Sequence, residues 1–290
     1  MRKVKEMGLA CILIVGTAIG ISIMLSNLEQ YYRYAKVRDY AEYKEEEIRD
    51  LLINDELIAY LYETSAVNKT DVIQEITIRM MLSDYDLSDY NKWKTVRLKD
   101  SYVEKLKYTP LYQSLYPMYQ MIFSDLKYFP IPVDLANNEY VRFDDSWMTR
   151  RTYGGERKHE GTDIMPSKKE SGYFPVLSIT DGVIEKKGWL EKGGYRIGVR
   201  SPSGGYFYYA HLHSYADGIQ VGDEIHAGEL LGFMGDTGYS KVEGTTGNFA
   251  VHLHFGIYLF DENVEISVNP YWVLKYLERH RLEYYFSAQQ

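Results

Sequence analysis

The sequence predicts an α+β protein in which a transmembrane helix and a helical region precede a mostly antiparallel β domain. Three observations support this prediction. An uncharged run near the N-terminus is long enough to cross a bilayer. Residues 27–127 carry apolar side chains at helical spacing, and from about residue 140 glycines become frequent while apolar runs become short. With 290 residues, the chain has room for one large domain or two ordinary ones.

Composition narrows the class of protein. The chain is 45% hydrophobic and 26% charged, which is typical of a globular protein. Its net charge of -8 argues against a nucleic-acid partner, because such proteins present a basic face. The single cysteine, Cys11, excludes an internal disulfide framework and a Cys-rich metal site. Any metal ligands must therefore be His, Asp or Glu.

The N-terminus predicts an uncleaved membrane anchor. Arg2, Lys3 and Lys5 precede the uncharged residues 7–26, which as a helix would be roughly 30 Å long. The basic flank should stay in the cytoplasm, so the rest of this single-pass protein should lie outside it. A cleaved signal peptide is the rival interpretation. It calls for a shorter apolar core and a small-x-small cleavage site, which residues 24–26, Met-Leu-Ser, match poorly.

The segment after the anchor is predicted to be helical. The stretch LEQYYRYAKVRDYAEYKEEEIRDLL contains neither Gly nor Pro and has some heptad spacing. Lys44 interrupts the heptad seam, which favours an amphipathic helix packed on its neighbour over a coiled-coil stalk. The stretch TDVIQEITIRMML offers Thr70 or Asp71 as its N-cap. The stretch PLYQSLYPMYQMIFSDL is a further helix, interrupted or restarted at Pro117.

The β domain is expected to begin after FPIPVD, which breaks helical structure. The predicted organisation is therefore a cytoplasmic tip and anchor at 1–26, a helical extracytoplasmic region at 27–139, and a β domain at 140–290. Strand-like pieces such as PVLSITDGVIEKKGW and YRIGVRSPSGGYFYYAHL are separated by glycine-containing turns, and SPSGG is a hairpin signal. This spacing indicates an antiparallel sheet, sandwich or barrel, and NPYWVLKYLERHRLEYY closes the chain as a helix.

Six of the seven histidines lie in the strand-rich part of the β domain, before its closing helix, and five residues there could form a metal site. In VHLHFGIY, His252 and His254 are two apart, so on a strand they share a face. His211 lies in YAHLHSY, and HEGTD places His159 four residues before Asp163. Catalytic zinc takes three such ligands, and two further imidazoles could act as base and charge stabiliser.

Spacing leaves two alternatives open. The pairs 211/213 and 252/254 are equivalent as metal-binding candidates. The dipeptide His159–Glu160 could also start a helical metalloprotease motif, although that motif needs a histidine where Asp163 stands.

Four motifs together resemble a known family. They are RKHEGTDI, YYAHL, GDEIHAGELLGFMGDTG, and VHLHFGIY followed by VNP. In order, they resemble the M23 family of peptidoglycan metalloendopeptidases, of the lysostaphin or LytM type. The pattern H-x-x-x-D, a His after Tyr-x, and H-x-H is intact. The resemblance covers about 145–275, implies the LytM-type β fold, and leaves residues 1–140 uncovered.

The resemblance implies specific roles for five residues. His159, Asp163 and His254 would hold one Zn²⁺ per chain, and His211 and His252 would be the catalytic pair. The implied reaction is hydrolysis of peptide bonds in cell-wall peptidoglycan, by attack of zinc-bound water on the amide carbonyl.

Less specific expectations concern the surroundings of this site. Tyr209 precedes His211 by two residues, so a shared face is expected. Tyr209 is a candidate for substrate binding, and packing in the core or lining the groove are the alternatives. His213, His226 and His280 are expected to be surface residues. The stretch YSKVEGTTGNFAV is longer than the usual family link, and this loop should border the groove.

The sequence thus predicts a membrane-anchored zinc endopeptidase whose substrates are peptidoglycan peptides outside the cytoplasm. The helical region could be a spacer, a groove cover or an arm for a partner protein. The alternative is a catalytically silent LytM-type scaffold or activator of other cell-wall hydrolases. The bond that would be cut stays open.

Overall fold

The computed structural model describes residues 2–40, 42–153, 155–261 and 264–286. Its helices occupy mainly the first half of the chain, and its strands the second. The helices are α1 (Arg2–Arg38), α2 (Glu45–Asp50), α3 (Asp55–Asn68), α4 (Val72–Ser83), α5 (Tyr90–Trp93), α6 (Asp100–Leu106), α7 (Pro110–Phe123) and α8 (Tyr271–Leu277), which a 3-10 turn (Glu278–His280) extends.

The strands described before residue 160 have two residues each, and most of the later ones are longer. They are β1 (Leu52–Ile53), β2 (Asp86–Leu87), β3 (Val133–Asp134), β4 (Val141–Arg142), β5 (Arg150–Arg151), β6 (Arg157–Lys158), β7 (Thr162–Pro166), β8 (Pro175–Leu177), β9 (Gly182–Leu190), β10 (Gly194–Arg200), β11 (Tyr206–Tyr215), β12 (Glu224–Ile225), β13 (Leu230–Met234), β14 (Leu253–Asp261), β15 (Val264–Val268) and β16 (Glu283–Tyr284).

The first helix has an apolar body and a docked end. Within the span Ala10–Arg38, the most apolar 18-residue window has a mean hydropathy of 2.1, and none of that window is buried against the described residues. Its last turns do pack: the Tyr34 ring stacks on Tyr102 with centroids 4.6 Å apart, and Arg33 donates to the carbonyl of Leu82 at 2.9 Å. By length and composition this helix can cross a membrane, and its end leads directly into the folded part.

The helix predicted to continue through residue 51 is divided. The chain leaves helix at Arg38 and resumes it at Glu45. Lys36 and Lys44 lie on either side of the break, and each Nζ is 2.9 Å from an oxygen of Asp84. In one continuous helix these lysines would be about 12 Å apart along the axis. The shared carboxylate therefore holds the chain where it folds back on itself.

The structure decides an open question about one later helix and corrects a prediction about another. Asp71 is the N-cap of α4, because its carboxylate accepts hydrogen bonds from the amides of Ile73 and Gln74. Helix α7 runs through Pro117 without interruption, although an internal proline costs about 3 kcal/mol. Burial of an entire apolar face against α4 and β14 offsets that cost, since each buried large side chain contributes about 1.5–3 kcal/mol.

The main sheet confirms the predicted antiparallel β architecture. Its strand order is β12-β9-β10-β11-β14-β7-β4, with β13 joining β11 to β8 and β15 pairing with β14. Every pairing within this sheet is antiparallel. The strands β7, β14, β11 and β10 are adjacent, so residues far apart in sequence meet on one sheet face.

The helices and the sheet share one hydrophobic core. Helix α7 packs on β14, and α3 packs on α8. The rings of Tyr62 and Tyr276 stack with centroids 5.2 Å apart. At the edge near β15, the amide of Asn269 donates to the carbonyl of Arg49 at 2.7 Å. This packing fixes the position of α2 relative to the sheet.

Candidate metal centre and active-site groove

Strand pairing brings three candidate ligands together. His254 on β14 lies directly opposite Asp163 on β7, and directly opposed residues point to the same face. His159 lies just before β7, where its amide donates to the carbonyl of Thr149 and its carbonyl accepts from the amide of Met148. These two bonds fold the chain so that the imidazole reaches the pair.

The three donor atoms form an equilateral triangle. His159 Nε2, His254 Nδ1 and Asp163 Oδ1 are each 3.0 Å from the other two. Their side chains are 3%, 15% and 17% exposed, respectively. Ligands at about 2.0–2.1 Å around a tetrahedral ion are separated by roughly 3.3 Å, so this His-Asp-His set fits zinc.

Two of the three candidate ligands, His159 and Asp163, make further hydrogen bonds outside the triangle. His159 Nδ1 lies 3.1 Å from both the carbonyl and the hydroxyl oxygen of Ser146. Asp163 uses its second oxygen, Oδ2, to accept from Arg151 Nη2 at 2.5 Å. Burial alone would raise the pKa of Asp163, but hydrogen bonds from His159 and His254 hold that pKa well below its usual range. The carboxylate is therefore anionic, as a metal ligand must be.

His252 lies beside this triangle. Its backbone pairs with Gly235 just before β14 begins. Its Nδ1 donates to the carbonyl of Ala250 at 2.7 Å, which leaves Nε2 as the free nitrogen. Nε2 is 3.6 Å from Asp163 Oδ1, so it faces the metal centre without belonging to the triangle.

His211 reaches the site through an irregularity in β11. Its φ is +62°, a left-handed conformation uncommon for non-glycine residues, and the β10–β11 register shifts at this point. Its Nδ1 donates to the carbonyl of Thr237 at 2.8 Å. The ring centroids of His211 and His252 are 4.7 Å apart. Burial, and then the nearby His252 and His254, lower the pKa of His211 well below its usual value, so the imidazole is neutral.

The same irregularity overturns the expectation for Tyr209. Alternation predicts that Tyr209 shares the face of His211, but the shifted register turns His211 towards the groove and leaves Tyr209 in the core. Tyr209 is fully buried, and its hydroxyl accepts from the amide of Ile179 at 3.0 Å. A role in contacting substrate therefore has no structural basis.

The other three histidines lie away from the triangle. His213 is exposed and lies 3.1 Å from the hydroxyl of Ser171. His226 is an exposed turn residue, and His280 packs its ring against Tyr276. The structure thus separates the 252/254 pair, which faces the metal centre, from the 211/213 pair, which contributes only His211.

The metal centre opens into a groove of about 1160 Å³. The lengthened loop borders it as expected, with Tyr239 and Phe249 near His211. The ring of Tyr153 stacks on Tyr239 at 4.2 Å. Sequence reasoning found this loop through its length, but it missed Arg151. No spacing signal marks that residue, because only the short β5–β6 hairpin brings it to Asp163.

Other groove-lining residues come from distant parts of the chain. Helix α2 contributes Glu46, Arg49 and Asp50 at one end, and Arg49 Nη2 lies 2.5 Å from Glu160 Oε1. At the other end lie β9, β10 and β11, with side chains that are mostly basic or aromatic. They are Lys186, Leu190, Lys192, Arg196, Tyr206 and Tyr208.

An antiparallel sheet that gathers two imidazoles and a carboxylate around one point defines a candidate metal-centred hydrolase. Residues 157–270 match the model of peptidase family M23. The crystal structure of lytM from Ruminococcus gnavus aligns with a TM-score of 0.73 and 41% identity, covering 88% of this chain and 99% of that one. The chain belongs to peptidase family M23, as the sequence motifs predict.

Curated relatives match part of the chain. The L-Ala–D-Glu endopeptidase of Bacillus subtilis is 39% identical over 155 residues, which are 53% of this chain and 45% of the relative. The glycyl-glycine endopeptidase ALE-1 of Staphylococcus capitis is 39% identical over 83 residues, which are 28% of this chain and 20% of ALE-1. The chain thus spans less than half the length of each of these relatives.

Proposed function

We propose that this protein is a zinc-dependent endopeptidase that hydrolyses peptide bonds in bacterial peptidoglycan. One observation carries the proposal: three donor atoms lie 3.0 Å from one another on the floor of an open groove, beside two imidazoles fixed by backbone carbonyls. The donor set is complete and preorganised, which a catalytically silent scaffold would not require.

In this proposal, His159, Asp163 and His254 would hold the ion. When bound, zinc would activate a water molecule and polarise the scissile carbonyl. The Nδ1 atoms of His211 and His252 each contact a backbone carbonyl oxygen, which can only accept a hydrogen bond. In the neutral ring, Nδ1 therefore carries the hydrogen. Nε2 of each ring is then a free base at the groove. Either ring can take a proton from the attacking water and return it to the leaving amine.

The site also suits an extended peptide. It lies on an open sheet face rather than in a closed cavity, and helix α2 forms one end of the groove. The matched relatives are named for two different bonds, L-Ala–D-Glu and glycyl-glycine, and both occur in peptides. Short peptides of the cell wall are therefore the proposed substrate class.

The proposed location is the outer side of the membrane, with residues 7–26 as a single-pass anchor. The continuous helix α1, which contains an 18-residue window of mean hydropathy 2.1, supports this placement. A role of the helical region in binding a partner protein stays a prediction. Helix α2 belongs to this region and lines the groove, which supports a second role in shaping the groove.

The test separates metal binding from chemistry. The full chain in detergent micelles should contain one zinc and digest peptidoglycan. We expect His254→Ala to lose zinc and activity together. His252→Ala should keep its zinc and lose activity by about 10²–10⁴-fold, the range for a general acid-base residue.

The matched control is His226→Ala, which removes an exposed imidazole far from the triangle and should change neither property. If His252→Ala lost zinc as well, the division of roles would be wrong. If the folded parent protein bound no zinc, the enzyme proposal would fail, and the scaffold alternative would replace it.

A further inference from the structure

The groove floor carries a second polar feature, two strands away from the metal centre. Ala210 on β11 lies opposite His254, and Tyr208 lies opposite Gly198 on β10. Side chains alternate along a strand, so Arg196, two residues before Gly198, shares this face. Two strand spacings separate the backbones of Arg196 and His254 by about 10 Å.

The guanidinium of Arg196 has an unsatisfied nitrogen. Its Nη1 is buried and has no hydrogen-bond partner, and no ion pair forms to this side chain among the described residues. A buried, unpaired donor on a charged group is costly, and proteins normally satisfy it. Arg157 also lines the groove with a buried nitrogen, but its guanidinium already donates to the hydroxyl of Tyr239.

The surroundings of Arg196 are basic and aromatic. Lys186 and Lys192 line the same end of the groove, and neither forms an ion pair within the described parts of the chain. Tyr206 and Tyr208 flank them as neutral rings. The acidic side chain that lines this end is Glu265 on β15. Burial, the largest influence, and then charges that include Glu265 raise the pKa of Tyr206 and Tyr208, so this carboxylate is one negative charge against the three cations Arg196, Lys186 and Lys192. The local charge is therefore positive, although the whole chain is acidic.

Resting on the proposed function, we propose that Arg196 binds a carboxylate of the substrate and makes this a peptidase for anionic stem peptides rather than for uncharged glycine bridges. A guanidinium offers parallel donors that match a carboxylate, and this pairing would satisfy the orphaned nitrogen. An extended chain advances about 3.3 Å per residue, so the carboxylate belongs within about three residues of the scissile bond.

The experiment uses the full-length zinc-loaded protein and three synthetic peptides. The first contains L-Ala–D-Glu with its carboxylate free, the second is the same peptide with that carboxylate amidated, and the third is an oligoglycine. We expect the free acid to be cleaved with kcat/KM about tenfold or more above the amide, the scale of one charge-assisted hydrogen bond. Arg196→Gln should remove this preference by slowing only the acid, and Arg196→Lys should restore part of it.

Lys168→Gln is the matched control, because Lys168 is a basic side chain that pairs with Glu170 outside the groove. Equal losses on acid and amide would make Arg196 a structural residue, and faster cleavage of oligoglycine would also overturn the proposal. If none of the three peptides is cleaved, the proposed endopeptidase function fails, and the role of Arg196 is then decided by binding instead of cleavage. Binding of acid and amide peptides to the His252→Ala protein, with and without Arg196→Gln, then decides whether the carboxylate is recognised.

Discussion

At the scale of single residues, the site depends on close approach of the backbone to the candidate metal ligands. An added Cβ at Gly161 would lie 2.5 Å from His254 Cε1 and 2.7 Å from the carbonyl oxygen of Phe255. The carbonyl belongs to β14 and cannot move without disturbing its pairing with β7. Residue 161 must therefore shift away from that carbonyl, and it lies between two proposed zinc ligands, His159 and Asp163, while the crowded imidazole is the third.

We accordingly predict that Gly161→Ala lowers zinc affinity by about 10–100-fold, the range seen when the support of a metal ligand is lost. Competition with a chromophoric chelator measures this. Gly20→Ala is the control, because its added methyl meets no atom within 4 Å. Unchanged zinc affinity in Gly161→Ala would show that His254 tolerates displacement.

The core position of Tyr209 makes a different prediction. Tyr209→Phe leaves the amide of Ile179 without its acceptor. A buried unsatisfied donor costs about 1–3 kcal/mol, so the free energy of unfolding should fall by that amount. Denaturant titration measures the loss, and kcat/KM of the folded variant should match the parent. A tenfold loss of activity at unchanged stability would instead restore the substrate-binding hypothesis.

At the scale of elements, the cap of α4 links two helices. Asp71 accepts from two amides at the start of α4, and its second oxygen accepts from the hydroxyl of Tyr116 in α7 at 2.7 Å. The carboxylate therefore stabilises both the helix end and the α4–α7 packing.

Asp71→Ala should lower the free energy of unfolding by about 1–2 kcal/mol, the upper part of the range for a lost N-cap. Thermal unfolding monitored by circular dichroism measures the change. Thr70→Ala is the paired control, since Thr70 is exposed and is not the cap. Equal destabilisation by both substitutions would mean that the cap contributes nothing specific.

At the scale of the whole molecule, α1 joins the apolar segment to the folded part without a flexible linker. Tyr34 and Val37 are buried at its end, while the apolar side chains of Ala10–Met24 are exposed. We propose that a bilayer covers this exposed apolar surface, which is long enough to span one. The active-site groove should therefore stay near the membrane surface.

We predict that the full chain sediments with membranes and that deletion of residues 1–26 makes it soluble with zinc content unchanged. Ultracentrifugation and metal analysis measure the two properties. The deletion spares the buried contacts of Tyr34. Intact mass spectrometry of the protein isolated from cells tests whether the anchor is kept. A mature chain that begins near residue 27 would contradict the prediction and identify a cleaved signal peptide.

Local sequence determined the class of fold, the family and the identity of the candidate ligands. Alternation on a strand places His252 before His254 on one face, and the motif H-x-x-x-D adds His159 and Asp163. The sequence could predict these features because they depend on short-range periodicity and on the residue types that metal binding requires.

Only the tertiary structure decided the features that depend on long-range contacts. The register shift that turns His211 into the groove and Tyr209 into the core arises from pairing with β10, which no local pattern encodes. Pro117 stays inside a helix because burial outweighs its local cost. Arg151 and Arg196 reach the groove through strand pairing alone. The sequence thus predicts the candidate metal centre, whereas packing decides what surrounds it.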